Sequence, residues 1–587
     1  MKRVPLLMHS SDQDHNQHGT VSAEKYTAKE DLMERKDAVV GEGATGGTCS
    51  RRAFLQGATV AAASTATALA SERPDEPTEE KSSRERVFWG DIHMHTALSD
   101  GNGSHEDNFE IAKSHLDFWA MTDHAFGEGI FSLDYRKFGK PGRQIINTAW
   151  DHHQELCRSY EAPGRFIPIL GYEWTNFLYG HHNVYYRDYD QPIRMPVTLP
   201  ELYAALKGVE AFVIPHHTGY PKGICGKDWD YHDEILSPFV EIYSTHGSSE
   251  TEEGVHPVLS TGSWMGPGAE DGCVQAGLAR GYKLGIMAST DSHLDHPGTY
   301  DCGLTGVYAK ELTRAALWEA FRRRRIYALT GDRILLDFSV NGQPMGSILP
   351  RSQNRKLRIS AVAWSPIDRI EVLKNNQVFH TFPQPVGIPV VGKKRIRFFI
   401  EWGWDARAEH EWAGALDVTG GKVLQAIPGY RGNAEGRKGT GITKLAGGSC
   451  SWTSRSEKAK YDGQCRRYAD LAAFELDCEN DARIQLTMTC DKLKQTLQLT
   501  PQELLAKPRV QYMENIPVTN DGNYWRSMEV CAKFKIHRAW PTGHLTVSLS
   551  LDDKAVRAAG TDFYYIRLTQ QNGQRAWSSP IWIEQRA

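Results

Sequence analysis

Long uninterrupted apolar runs are missing from this 587-residue chain, and with them the signature of a membrane-spanning helix. The nearest approach is an Ala/Thr/Val stretch ending at Ala68-Leu69-Ala70, shorter than the ~20 residues a span needs and diluted by Thr and Ser. Cysteine is sparse, ten residues with no C-x-x-C pair, which excludes a zinc ribbon. One of the ten, Cys49, sits near the start, so the rest of the chain carries an odd number and at least one thiol is unpaired. Cys450, Cys465, Cys478 and Cys490 are the candidates for disulfides in an oxidising compartment. An excess of charge of one sign is also absent. Lys plus Arg number 68 against 72 Asp plus Glu, a formal charge of -4, so no long-range field draws nucleic acid or an anionic membrane. The chain has no phosphate-loop spacing, no Gly-x-Ser-x-Gly elbow and no internal repeat.

What is present is a folded, soluble composition, 40% apolar and 24% charged, on a chain long enough for two or more domains. Sixteen of the 23 histidines fall between positions 91 and 300, about twice the uniform share, a local excess that points to metal or proton chemistry. Near the start, Ser50-Arg51-Arg52-Ala53-Phe54-Leu55 precedes the short apolar run. This order resembles a twin-arginine export signal, with cleavage expected after Ala70 and a charged, Pro-containing tether to residue 86. The resemblance implies export through the twin-arginine machinery to the periplasm or beyond, with no stable membrane span.

From 87 to 332, short apolar runs alternate with helix-like stretches, the pattern of a layered α/β domain. Strands are expected at 87–94, 118–122, 166–172, 183–186, 211–214, 239–243, 284–288 and 304–308. Helices are expected from a Ser104 N-cap to Leu116 and from Glu311 to about Arg325. The Arg322 to Arg325 run reads as a solvated helix end. From 333 to 587 alternating segments separated by Gly, Pro, Asn and Asp turns predict a β-sandwich-like domain, with Gly429 to Gly448 as a loop or lid.

The chemistry lies in the polar residues beside those strands: His93, His95, Asp100, His124, Glu173, His181, His216, Asp291 and His293. In β/α folds such positions converge at one end of the sheet. His93-Met94-His95 places both imidazoles on one strand face, because side chains alternate with period two, and Asp291-Ser292-His293 repeats the spacing. Imidazole nitrogen with carboxylate oxygen suits zinc, manganese or iron, and a carboxylate can bridge two ions. Of the adjacent pairs His181-His182 and His216-His217, only one member faces a common pocket from an extended backbone, and the first of each is chosen. Asp91 and Asp123 are candidates to orient ring N–H groups or to cap turns. Other histidines default to structural or substrate-facing parts, with His246, just beyond the 239–243 run, the leading exception.

Gly-Asp91-Ile-His93-Met-His95-Thr-Ala-Leu-Ser-Asp100-Gly, Thr-Asp123-His124, Gly-Tyr-Glu173, Ile-Pro-His216 and Ser-Thr-Asp291-Ser-His293 resemble the successive motifs of the polymerase and histidinol phosphatase (PHP) superfamily. The phrases Gly-Tyr-Glu-Trp, Gly-His-His-Asn-Val and Ala-Ser-Thr-Asp-Ser-His resemble its DUF3604 branch, related to carbaryl-hydrolase-like metallohydrolases. The resemblance implies an α/β fold, a PHP-type distorted (β/α)7 TIM-like barrel, holding two or three divalent ions. One ion would sit on His93, His95, Glu173 and Asp291, a second on Glu173, His181 and His216, a third on Asp100, His124 and His293. It also implies hydrolysis of a small-molecule ester by metal-activated water. Asp291 and His217 are read as catalytic residues, with leaving-group protonation falling to His217 or His182. A phosphoesterase is the leading expectation and a carbamate or carboxylic ester hydrolase the alternative. A reading of another class is a non-catalytic exported glycan-binding protein using Trp402, Trp404 and Trp412, with structural metals.

Overall fold

Strand β1, Arg86–Asp91, lies inside a sheet: it pairs in parallel with β2, Phe118–Trp119, and antiparallel with a later strand, Leu304–Ala309. The structure, a computed structural model, describes residues 85–125, 146–254, 268–384, 394–405, 408–432, 434–457, 469–514, 531–554 and 560–584. The export-signal segment and Cys465 lie outside these. The described residues belong to one compact unit, mixed α/β and mostly sheet. Among them no helix is long and apolar enough to cross a membrane.

Between β1 and β2 runs helix α1, His105–His115, capped as its sequence predicts: the Ser104 hydroxyl accepts from the Asp107 N–H at 3.1 Å. A second set of strands follows. It comprises β3 (His124–Ala125), β4 (Leu170–Trp174), β5 (His182–Tyr186) and β6 (Ala211–Pro215), all buried. β3 and β4 are parallel, but β5 runs antiparallel to both β4 and β6. A third set joins β7 (Phe239–Ser244) in parallel to β9 (Gly285–Ala288) and antiparallel to β8 (Gly247–Ser248). Helix α2, Arg314–Arg322, is shorter than its expected 311–325 span. Thr313 caps its start, and Arg324 at φ 58 ends it.

The expected (β/α)7 TIM-like barrel is thus not closed by hydrogen bonds among the described residues; three sheets stand in its place. Two strands, β5 and Leu304–Ala309, run antiparallel to their neighbours on both sides, a departure from the all-parallel order of a (β/α) barrel. Alternate residues of all three sheets nevertheless meet in one apolar cluster. Phe88, Phe118, Ile167, Tyr185, Phe212, Phe239, Met287 and Val307 are each 2% exposed or less. Burying a side chain of that size contributes about 1.5–3 kcal/mol, so this cluster keeps the sheets in register.

The change of texture near 332 falls in a turn, and the main sheet continues across it. Strand β10, Ile326–Leu329, pairs with β13, Arg575–Ser578, which pairs with β12, Asp562–Gln570. A separate antiparallel sheet with its own core is built around β11 (Lys394–Gly403) and two long strands, His410–Gly429 and Ala469–Cys490. The Gly429 to Gly448 segment is not all loop: Gly441–Ala446 is a strand on Ser449–Ser456, because Ile442 and Leu445 pack on that core. Cys450 and Cys490 are buried free thiols. Trp402 and Trp412, offered for glycan binding, are 0% and 2% exposed and donate to Ser454 and Ser456 hydroxyls, so neither presents a stacking face.

Candidate metal centre

Two sequence motifs zip together to found the site. The Asp291 N–H donates to His93 O at 2.7 Å and the His95 N–H to Ser292 O at 3.1 Å, a parallel bridge setting His93-Met94-His95 beside Asp291-Ser292-His293. Asp91 fixes this junction, accepting from the Thr290 N–H and hydroxyl (3.0 and 2.7 Å) and from the Gly298 N–H (2.9 Å). Asp123 does the same for the loop carrying Asp100, accepting from Thr96 and Ser99 through backbone and hydroxyl donors. Both acids therefore clamp turns, and orienting the rings of His93 and His95 falls to other residues.

β4 and the start of β5 bring in the next residues. Glu173 lies opposite His124 across the parallel pair, and His181 sits just before β5, which reaches the same end of the sheet because it runs backwards. His216 follows β6 directly. Glu173 stands at the centre. Its carboxylate lies 3.2 Å from His95 Nε2, 3.0 Å from His124 Nδ1, 2.7 Å from His181 Nδ1 and 3.3 Å from His216 Nε2. Asp291 Oδ1 lies 3.3 and 3.2 Å from His93 Nε2 and His95 Nε2. Asp100 reaches His124 at 3.6 Å and His293 at 3.5 Å. All nine sequence-chosen residues are thus gathered in one place.

They fall into overlapping groups whose donor atoms lie within 4.8 Å of one another. His93, His95 and Glu173 form one; His181, His216 and His217 another; His95, Asp100, His124 and His293 a third; His93, His216, Glu241 and Asp291 a fourth. The fit to metal ions is tested by the atoms left over. His93 Nε2, His95 Nε2, His181 Nε2, both His216 nitrogens, Glu173 Oε2 and Asp291 Oδ2 are buried and make no hydrogen bond. Buried polar atoms cost about 1–3 kcal/mol each when unpaired, so such a group converging on one space needs a partner. Ligands around a zinc-like ion at about 2.0–2.3 Å stand roughly 3.3–3.7 Å apart, close to the 3.2–3.6 Å of most contacts here, while His124 and His181 stand nearer to Glu173, at 3.0 and 2.7 Å.

The electrostatics agree. Burial alone would raise Glu173 and Asp291, yet the neighbouring imidazoles hold both well below the usual carboxylate range. Burial pushes His93 down to about 3 and His293 to about 4, and lowers His181, leaving neutral nitrogens with lone pairs to offer. Burial and the His124 charge work against protonating His95, but Asp291 and Glu173 outweigh them and carry it up to about 9. His124 and His216 are raised against burial in the same way, chiefly by Glu173. The carboxylates demand positive charge, and bound cations would supply it in place of these protons.

Two residues went unnoticed in the sequence. Glu241, 1% exposed in β7, lies 3.0 Å from His93 Nδ1 and so orients that ring. Its signal was an acid inside the apolar Phe239-Val-Glu-Ile-Tyr run. Cys225, fully buried at φ 65, feels the charges of Glu173, His124 and Asp291 although it is distant from them in sequence. The pairs of histidines divide. His182 lies opposite Trp174 and Pro215, on the face away from Glu173, with Nδ1 2.8 Å from Gly180 O. His217 takes φ 32 and joins His216 in the cluster, so both members of that pair face the site.

Comparisons with known proteins match parts of the chain. A family described as a protein of unknown function (DUF3604) matches residues 297–345, a segment that begins after His293 and contains none of the nine. Uncharacterised proteins of Chlamydia pneumoniae and Chlamydia muridarum are 26% and 31% identical, each over 50% of this chain and 48% and 49% of their own length. One from Chlamydia trachomatis is 31% identical over 31% of this chain and 32% of its own. The chain spans about half the length of the first two, and less of the third. A solved two-domain protein of Bacteroides vulgatus, containing a predicted PHP-like metal-dependent phosphoesterase, overlays with TM-score 0.31 and 17% identity, over 51% of this chain and 83% of that one.

Proposed function

We propose that the chain is an exported metal-dependent hydrolase of small-molecule esters, with phosphate esters as the leading substrate class. The observation that carries this reading is the set of buried nitrogen and carboxylate atoms of His93, His95, Asp100, Glu173, His181, His216 and Asp291 that make no hydrogen bond, converging with His124 and His293 in one cluster. His93, His95, Glu173 and Asp291 would hold one ion, Glu173, His181 and His216 a second, and Asp100, His124 and His293 a third. Such ions lower the pKa of a bound water toward neutrality and polarise a phosphoryl or carbonyl oxygen. On this reading the three sheets are an opened barrel whose loops present the ligands at one end.

The protein's own part is orientation and exclusion of water. Glu241 holds the His93 ring, the Ser99 hydroxyl lies 3.3 Å from His95 Nδ1, and Thr175 Oγ1 lies 2.7 Å from His124 Nδ1. Of His217 and His182, the two candidates for leaving-group protonation, only His217 stands in the cluster. Burial and the charges of His216 and His181 hold it well below the ordinary histidine value, which keeps the ring neutral and suits ligation better than proton donation. Export through the twin-arginine route is part of the same proposal and rests on the Arg51-Arg52 motif.

Assaying metal-loaded protein on aryl phosphate and aryl carbamate esters tests the choice. Phosphate hydrolysis is expected, and activity on the carbamate alone rejects it in favour of the alternative. His93→Ala and Asp291→Ala are expected to lose hydrolysis by at least 100-fold with the fold intact by circular dichroism. Full activity in both would remove the enzyme reading.

A further inference from the structure

We propose that His246 is a tenth metal-ligating residue, placed beside Asp291 at the margin of the cluster and oriented by Tyr220. The inference rests on the metal-site reading above and extends it to a position outside the nine.

Its placement follows from the turn that carries it. β7 and β8 form a tight hairpin, with Ser244 paired to Gly247, so Thr245 and His246 occupy the tip and Gly247 supplies the required φ of 102. The Thr245 N–H donates to Thr290 O at 3.0 Å, which ties the tip to the residue before Asp291. His246 Nε2 then lies 3.2 Å from Asp291 Oδ2, and that oxygen makes no hydrogen bond. This combination, a nitrogen and a carboxylate oxygen at 3.2 Å without hydrogen-bond alignment, is the relation that His95 Nε2 has to Glu173. It is the geometry of two ligands sharing an ion.

The other ring nitrogen is already committed. His246 Nδ1 lies 3.0 Å from the hydroxyl of Tyr220, a residue with no exposed surface. With Nδ1–H donating to that oxygen, the Nε2 lone pair faces Asp291, the arrangement in which a ligating histidine gives its second N–H to a fixed partner. Tyr220 is itself held by the turn from His217, whose carbonyl accepts from its N–H at 3.3 Å. The His217 ring stands 5.0 Å from both the His246 and the His181 rings. With a side chain 17% exposed, His246 is more open to solvent than Glu173 and His93, which are fully buried, and less so than Asp100 and His293.

The test uses the full-length protein and zinc alone. Wild type, His246→Ala, Tyr220→Phe and His93→Ala are stripped with a chelator, titrated with zinc, and compared in stoichiometry and dissociation constant, with melting temperatures as a fold control. The inference expects His246→Ala to lose one equivalent or to bind its weakest ion at least 100-fold less tightly, and Tyr220→Phe to weaken the same ion about 10-fold or more. Unchanged stoichiometry and affinity in His246→Ala overturn it. Should that variant fail to fold, Tyr220→Phe, which removes one hydroxyl, decides alone, and wild-type affinity there overturns the inference. His93→Ala separates the two levels. If it too binds zinc as wild type does, the metal-site reading fails; if it loses zinc while His246→Ala keeps it, only the tenth ligand falls.

Discussion

Neighbouring histidines serve one pocket only where the backbone between them turns, and at 216–217 the turn is written as φ 32 on His217. At 181–182 the strand stays extended, and His182 points to the far face. Glu241 acts one step back from the donors, through the ring of His93. Replacing it by Gln keeps the shape but weakens the acceptor, and zinc affinity is expected to fall about 10–100-fold with little change in melting temperature. Wild-type affinity by competition with a chelating dye would show that Glu241 merely fills space. Gly101 makes a sharper demand. A Cβ there would stand 2.3 Å from His95 O, a backbone atom that cannot yield without moving His95. Gly101→Ala is therefore expected to displace Asp100 and to reduce the metal held with His95, His124 and His293. A titration with wild-type stoichiometry and affinity would contradict this.

At the scale of elements, the hairpin bearing His246 is anchored by strands from the far end of the chain. Glu250, 2% exposed just beyond β8, accepts from the Tyr565 hydroxyl at 2.8 Å, Arg567 at 3.0 Å and Trp577 Nε1 at 2.9 Å. Arg567 keeps Glu371 at 2.8 Å, so removing Glu250 strands chiefly the Trp and Tyr donors. Glu250→Ala is expected to cost about 2–5 kcal/mol, read by urea denaturation, and to loosen metal binding as the hairpin shifts. A loss below about 0.5 kcal/mol would place no weight on this anchor.

Much of the site was legible because its ligands come in x-spaced pairs, His93 with His95 and Asp291 with His293, although both pairs lie just beyond the strands, joined by the Met94–Ser292 bridge, and Asp291 takes φ 47 in place of the extended backbone a strand supplies. Glu241 left no such trace, since one acid in an apolar strand reads equally as an edge residue. The opened barrel was illegible for a related reason. His182-Asn-Val-Tyr-Tyr186 has the same buried, apolar look in either direction, so nothing local announces that β5 runs antiparallel. Trp402 of β11 and Trp412 of the His410–Gly429 strand look alike in a core or on a binding face until a partner such as Ser454 is known. Capping, by contrast, is local chemistry, and Ser104 and Thr313 stand where a side-chain oxygen meets an N–H three residues on.

Across the whole molecule, one sheet carries both the start of the metal centre and the end of the chain. Ala328 in β10 is registered with Trp577, and an apolar cluster joins Tyr243 and Ile286 to Tyr565, Trp577 and Trp582. A chain stopped at residue 332 would leave β10, buried along its length, as a bare edge, and it is expected to aggregate rather than fold. A soluble truncated protein with wild-type zinc binding would contradict that. The most direct test of the account is elemental analysis of the purified full-length protein after it is offered zinc, manganese and iron and freed of loose ions. Two or three tightly held divalent ions per chain are predicted, falling below one when His93 and Asp291 are both replaced by alanine. A wild-type protein that retains none would contradict the central claim.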